Sequence, residues 1–156
     1  MSGPPPAAPL LERLELRPDS ADRFTGAPGP NADHLFGGQL LAQGLLAASR
    51  CTDPALRAQS LHGVFLAAGA GDEPVDYAVE RIRDGASFAT RRILGSQDDR
   101  PIVALTASFH RPEGAVLHQT ELPGWVGTPQ GLPLGRYHSP EIESRDIPTD
   151  VGSGGH

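Results

Sequence analysis

The chain has 156 residues, enough for one domain of ordinary size, and 19 Gly with 16 Pro dilute its hydrophobic fraction to 38%. Net charge is -6 and all 13 basic residues are Arg, which excludes chemistry built on a lysine Schiff base or a P-loop lysine. An acidic chain without a Lys/Arg cluster also argues against nucleic-acid binding, and the single cysteine, Cys51, excludes an intramolecular disulfide and fits a reducing cytoplasm. No apolar run approaches the ~18 residues of a membrane span. The first residues lack a basic stretch leading into an apolar one, so no signal peptide is expected.

Gly and Pro gather at the ends. Residues 1–9, with GPPPAAP, are expected to be disordered, 10–123 to form the folded unit, and 124–156 to be linker and tail. Leu10 to Leu16 suggest a short helical turn leading into a strand. Phe24 and Gly26 precede a turn-rich stretch, APGPNADH. Residues 36–50, FGGQLLAQGLLAASR, give the clearest helix, with Leu40, Leu41, Leu45, Leu46 and Ala48 at helical spacing. Gly44 costs that helix about 1 kcal/mol relative to Ala, which points to close packing against another backbone.

Four strand candidates follow, over 60–68, 75–84, 87–97 and 100–111. Asp84-Gly85 is a hairpin signal between the second and third, and Gln97 to Arg100 makes a tight turn between the third and fourth. With one strand ahead of the helix the order reads β-α-β-β-β-β, an α+β pattern. A lone apolar helix is buried only if the antiparallel sheet curls around it, which is the hotdog arrangement. In the last strand Val103, Leu105, Ala107 and Phe109 share one face, and Ile102, Ala104, Thr106 and Ser108 the other. Neither face is strongly charged, so a second unit or a dimer is expected to cover the outer one.

Several blocks resemble the type II acyl-CoA thioesterases. They are LFGGQLLAQGLLAA (35–48), SLHGVFLAAG (60–69), VERIRDGASFATRRI (79–93), LTASFHRPE (105–113) and HQTELP (118–123). The resemblance covers residues 10–123 and implies the amino-terminal hotdog of a tandem pair whose sheets join, with fatty acyl-CoA as substrate. It places the family's catalytic Asp, Thr and Gln in the second hotdog. PEIESRDIPTD (140–150) resembles the opening strand of that second half, and VGSGGH does not continue it. A truncated or frame-shifted reading frame, or a fragment, would account for this. Laid over the second half, the first puts Ser108 where the Gln would fall and Ala58 near the Thr. Gln59 and Ala67-Ala68 also depart from the family's usual residues.

The residues offer a site of their own. Gly37 and Gly38 open the helix, whose free N–H groups could polarise a thioester carbonyl, worth roughly 3 kcal/mol per donor. The alternative role of these glycines is tight helix–sheet packing. Gly38 and Gln39 are the catalytic candidates, although Gln39 could equally bond to backbone at the helix start. Phe36, Gly37, His62, Asp84, Ser87 and Arg91 are the substrate-binding candidates. His62 reads better as a satisfied core histidine, His34 as a loop residue, and His110 and His118 as solvated. Asp84 and Ser87 also suit turn formation. Arg91 and Arg92 point to opposite faces, so only one can reach a phosphate. No G-x-S-x-G exists, which excludes an α/β-hydrolase. The histidines lack metal-ligand spacing and no cofactor is implied. Two readings stand: a thioesterase working as a homodimer or with a second hotdog unit, or a non-catalytic acyl-CoA-binding half.

Overall fold

The computed structural model describes residues 10–29, 35–114, 116, 118–136 and 143–147. The expected disorder of 1–9 and the loop residue His34 lie outside them. The chain divides into two compact units, Met1–Gly114 and Ala115–His156. In the first, a turn of helix α1 (Leu10–Arg13) leads to β1 (Leu16–Ser20) and β2 (Arg23–Gly26). The long helix α2 (Gly37–Arg50) follows, then β3 (Arg57–Phe65), β4 (Val75–Asp84), β5 (Phe88–Gln97) and β6 (Arg100–His110).

All six strands form one antiparallel sheet in the order β1-β2-β4-β5-β6-β3. Two of the sequence expectations need correcting here. There are two strands before the long helix, not one; β1 and β2 are too short, and Pro18 and Asp19 too irregular, to show alternation. The four later strands are not a simple meander either. β4, β5 and β6 are consecutive neighbours, but β3 crosses over to pair with β6 at the far edge.

Helix α2 packs against every one of the six strands. Strands lie ~4.8 Å apart, so six of them laid flat would be roughly twice as wide as the ~10 Å helix. Only a sheet rolled around the helix lets both edge strands reach it. The buried helical stripe is Leu40, Gln43, Gly44, Ala47 and Ala48. It faces Tyr77, Val79, Ile93, Val103, Leu105, Ala107 and Phe109, all on the sheet's inner side. Gly44 marks a close approach, though to a side chain rather than to backbone: a Cβ there would lie 2.2 Å from Leu105 Cδ1.

The turns separate by chemistry. Asp98 (φ 47°) and Asp99 (φ 60°) both adopt left-handed backbone, the two-residue turn that matches strand twist. Asp84-Gly85 does not make such a turn. The β4–β5 loop has three residues, Gly85 to Ser87, closed by Gly85 N–H donating to Phe88 O at 2.9 Å, and among the described residues no glycine has positive φ. In the second unit a 3₁₀ turn (Pro129–Gly131) precedes an isolated bridge between Leu134 and Arg145. Of the stretch 140–150, only 143–147 is described.

Candidate functional site

The start of α2 has no side-chain cap. Phe36 is its N-cap, and Gln39 and Leu40 N–H both donate to Phe36 O, at 2.9 and 3.3 Å. The first turn carries no acidic residue. Gly37 and Gly38 therefore present backbone donors with no carboxylate beside them. Gly37 also makes room for an aromatic ring, since a Cβ there would lie 3.0 Å from Phe65 Cζ.

Beside this helix start is an open, apolar pocket of about 470 Å³, lined by Leu35, Gly37, Leu40, Phe65 and the segment Leu66–Gly69. Phe36, Phe65 and Leu66 around it are more than half exposed. Two other hollows, one beside the β1–β2 hairpin and one on the outer sheet face, are lined by none of the catalytic or substrate-binding candidates, although Arg92 borders the second.

Gln39 faces inward. It is buried, and its Nε2 donates to Ala27 O at 3.0 Å. Sequence reasoning passed over its partner Gln43, one turn on, which is fully buried. Gln43 Nε2 donates to Ala27 O at 2.9 Å and to Arg13 O at 2.7 Å, while its Oε1 accepts from Tyr77 OH at 2.9 Å. Burial holds the Tyr77 hydroxyl well above its ordinary pKa, so it stays a donor. The signal was available: two glutamines spaced i, i+4 on the apolar face of a helix.

The other candidates lie elsewhere. His62 is exposed on the outer sheet face opposite Thr106, which corrects the expectation of a core histidine. His110 is half-buried and stacked on Phe88 at 4.3 Å rather than solvated. Asp84 and Ser87 are exposed beside the β4–β5 loop. Arg91 is 0% exposed. All five of its N–H bonds are used, on the carbonyls of Cys51, Arg83 and Thr90 and on the Asp84 carboxylate. Arg92, on the opposite face, is exposed and pairs with Glu80. Because Arg91 binds the residue that ends α2, this group sits one helix length away from Gly37. For 14 residues that is about 20 Å, so the candidates form two separate clusters, with His62 in neither.

Ala58 and Ser108, laid over the family's Thr and Gln in the sequence analysis, do not pair with each other. Ala58 pairs with Phe109 and Ser60 with Ser108, and the bulge between them turns Gln59 so that its Nε2 donates to Ser108 Oγ at 2.9 Å. Ala58 supplies no hydroxyl there. Among the described residues no helix is long and apolar enough to cross a membrane, and no His/Cys/Asp/Glu group could hold a metal ion.

One helix rolled in a six-stranded antiparallel sheet is a hotdog unit. The family described as the acyl-CoA thioesterase N-terminal domain matches residues 26–110. The chain is 38% identical over 122 residues to acyl-coenzyme A thioesterase 8 of Mus musculus, an overlap of 76% of this chain and 38% of that protein. It is 38% identical over 96 residues to acyl-CoA thioesterase 2 of Haemophilus influenzae, covering 62% and 33%. The tesB protein of Mycobacterium avium subs paratuberculosis superposes with a TM-score of 0.71 at 35% identity, over 78% of this chain and 48% of that one. Acyl-CoA thioesterase II TesB2 from Mycobacterium marinum superposes at 0.69 and 36% identity, over 78% and 46%. The chain belongs to the acyl-CoA thioesterase N-terminal domain family. It spans between a third and a half of the length of these relatives.

Proposed function

We propose that the protein is an acyl-CoA thioesterase, hydrolysing fatty acyl-CoA to free acid and coenzyme A, and that this chain is its amino-terminal hotdog. The observation that carries the reading is the apolar pocket at an uncapped, glycine-opened helix start, inside the residues matched by the family. The acyl chain would lie against Leu35, Leu40 and Phe65. The thioester oxygen would face the Gly37 and Gly38 N–H groups, where small residues let it approach. Phe36 would cover the outer side. Gln39 serves as a brace for Ala27 in this reading, and Arg91 and Asp84 as a tie between hairpin and helix. A reducing cytoplasm suits the single, buried thiol.

A partner is part of the proposal. β1 is a protected edge: short, containing Pro18 and interrupted by a bulge. β3 runs nine residues without Pro, has its bulge near its start at Ala58–Ser60, and ends in exposed Val64 and Phe65. An edge of that kind invites another strand. A second hotdog unit or a second copy of this chain would continue the sheet there.

A second reading has its own support. The first turn of α2 lacks an acid, and Ala58 lacks the hydroxyl of a water-activating set, so the chain alone would bind acyl-CoA without hydrolysing it. Release of free thiol from medium-chain acyl-CoA by the purified chain, followed alongside size-exclusion chromatography, separates the two. Activity in a dimer fraction supports the enzyme. Saturable binding without thiol release supports the binding half. Neither binding nor release would sink both.

A further inference from the structure

Gln97 stands one residue before the Asp98-Asp99 turn, at the tip of the β5–β6 hairpin, and is only 5% exposed. A hairpin-tip glutamine ordinarily turns to water; this one uses both ends of its amide inside the protein. Its Oε1 accepts from Ala70 N–H at 2.9 Å, and its Nε2 donates to Ala70 O at 2.9 Å and Glu73 O at 3.1 Å. The same hairpin makes further ties. Arg100 Nη2 donates to Ala68 O at 2.9 Å, and Ile102 O accepts from Leu66 and Ala67 N–H at 2.8 and 3.3 Å.

Residues 66 to 73 have no helix or strand of their own, yet Leu66 to Gly69 form one wall of the apolar pocket. That wall is therefore held from behind by the Ile102 carbonyl and Arg100, and at its end by Gln97 through the adjoining Ala70, none of which lines the pocket. Gly69 is matched to this arrangement: a Cβ there would lie 2.8 Å from Gln97 Oε1 and 3.0 Å from Leu35 Cδ1. Gln97 is suited to the task because a single flat group must accept and donate at once. A carboxylate would lose the donors, and an apolar chain would lose both.

We propose that Gln97 is a positioning residue that fixes the depth of the acyl pocket and so the acyl chain lengths the protein accepts. The inference rests on reading that pocket as the acyl site.

The test uses free coenzyme A and a series of non-hydrolysable S-alkyl-coenzyme A thioethers, butyl to dodecyl, titrated into the purified chain. In the parent protein, affinity rises roughly fourfold for each methylene buried, until the pocket is full. In Gln97→Met that gain flattens, free coenzyme A binds as before, and the Ala70 amide exchanges hydrogen faster. Gln97→Glu flattens the gain at high pH and recovers it as pH falls, because the protonated carboxyl keeps the acceptor and regains one donor. Unchanged binding of free coenzyme A at both pH values separates positioning from a fold simply damaged by substitution. A Gln97→Met protein with a loosened Ala70 amide and an unchanged gain per methylene overturns the proposal. A parent protein whose affinity ignores chain length overturns the pocket assignment itself, and the role of Gln97 with it.

Discussion

Arg91 Nε and Nη2 both donate to the carbonyl oxygen of Cys51, at 3.1 and 2.8 Å, so a strand residue caps the helix that its sheet encloses. The carbonyls at a helix C-terminus need donors and carry partial negative charge, and a guanidinium answers both. The fork also reaches Arg83 O, Thr90 O and Asp84, tying the β4–β5 hairpin to the end of α2. Lysine has the charge but neither the planar fork nor five donors. Arg91→Lys is therefore expected to cost about 3 kcal/mol of stability, the scale of buried charge-assisted bonds left unmade. Urea unfolding of the two proteins measures it, and a loss near zero would mean water replaces those bonds.

Cys51 itself is buried at 2% exposure, with its thiol 3.6 Å from Ala21 O. Desolvation first, then the neighbouring Asp22 carboxylate, push its pKa up to about 11 from 9.0. The folded state thus holds the proton more tightly than the unfolded chain. Its contribution to stability is complete below pH 9 and is lost as pH rises towards 11. Iodoacetamide should label the native protein slowly at mildly alkaline pH and the urea-unfolded chain readily. Cys51→Ala should remove part of the alkaline decline in unfolding free energy. Equal labelling rates in the two states would place the thiol at the surface.

Gly44 sets two opposing effects against each other. Alanine there would raise helix propensity by about 1 kcal/mol. Its Cβ would also sit 2.2 Å from Leu105 Cδ1, in a core where Leu105 is 1% exposed. Overpacking of this kind costs about 1–3 kcal/mol. Gly44→Ala should therefore lose about 1 kcal/mol net, read from the urea midpoint. A gain would mean that Leu105 finds another rotamer without strain.

The parts of the fold legible in sequence were those with a period. Leu40, Leu45 and Ala48 announce α2, and Val103 to Phe109 announce β6 by alternation. Polar groups in the interior rarely have such a signature: the i, i+4 spacing of Gln39 and Gln43 is one, but Gln97 and Arg91 look like surface residues until their partners are placed. Most of those partners are backbone carbonyls and amides, which every sequence carries and none advertises. The crossover of β3 to the far edge was equally hidden, since pairing order depends on the sheet's curl rather than on any local pattern. Of the site, the Gly37-Gly38 helix start was legible. Its apolar wall was not, because Leu66 to Gly69 form neither helix nor strand.

That hidden crossover has a measurable consequence. It leaves β3 as an edge strand, with Val64 47% exposed on the outer face opposite Ala104. Cross-strand neighbours on one face stabilise a sheet by packing, and a charge placed among them weakens added strands. Val64 lies outside the residues lining the pocket, so its replacement bears on pairing rather than on the acyl site. If a second copy continues the sheet at β3, Val64→Lys should shift the chain from dimer to monomer, or raise its dissociation constant at least tenfold, with little change in the melting of the monomer. Analytical ultracentrifugation across a concentration series reads this directly. A lysine introduced on the opposite edge, Ser20→Lys in short β1, should leave assembly as it was. A dimer equally sensitive to both, or to neither, would place the contact on another face.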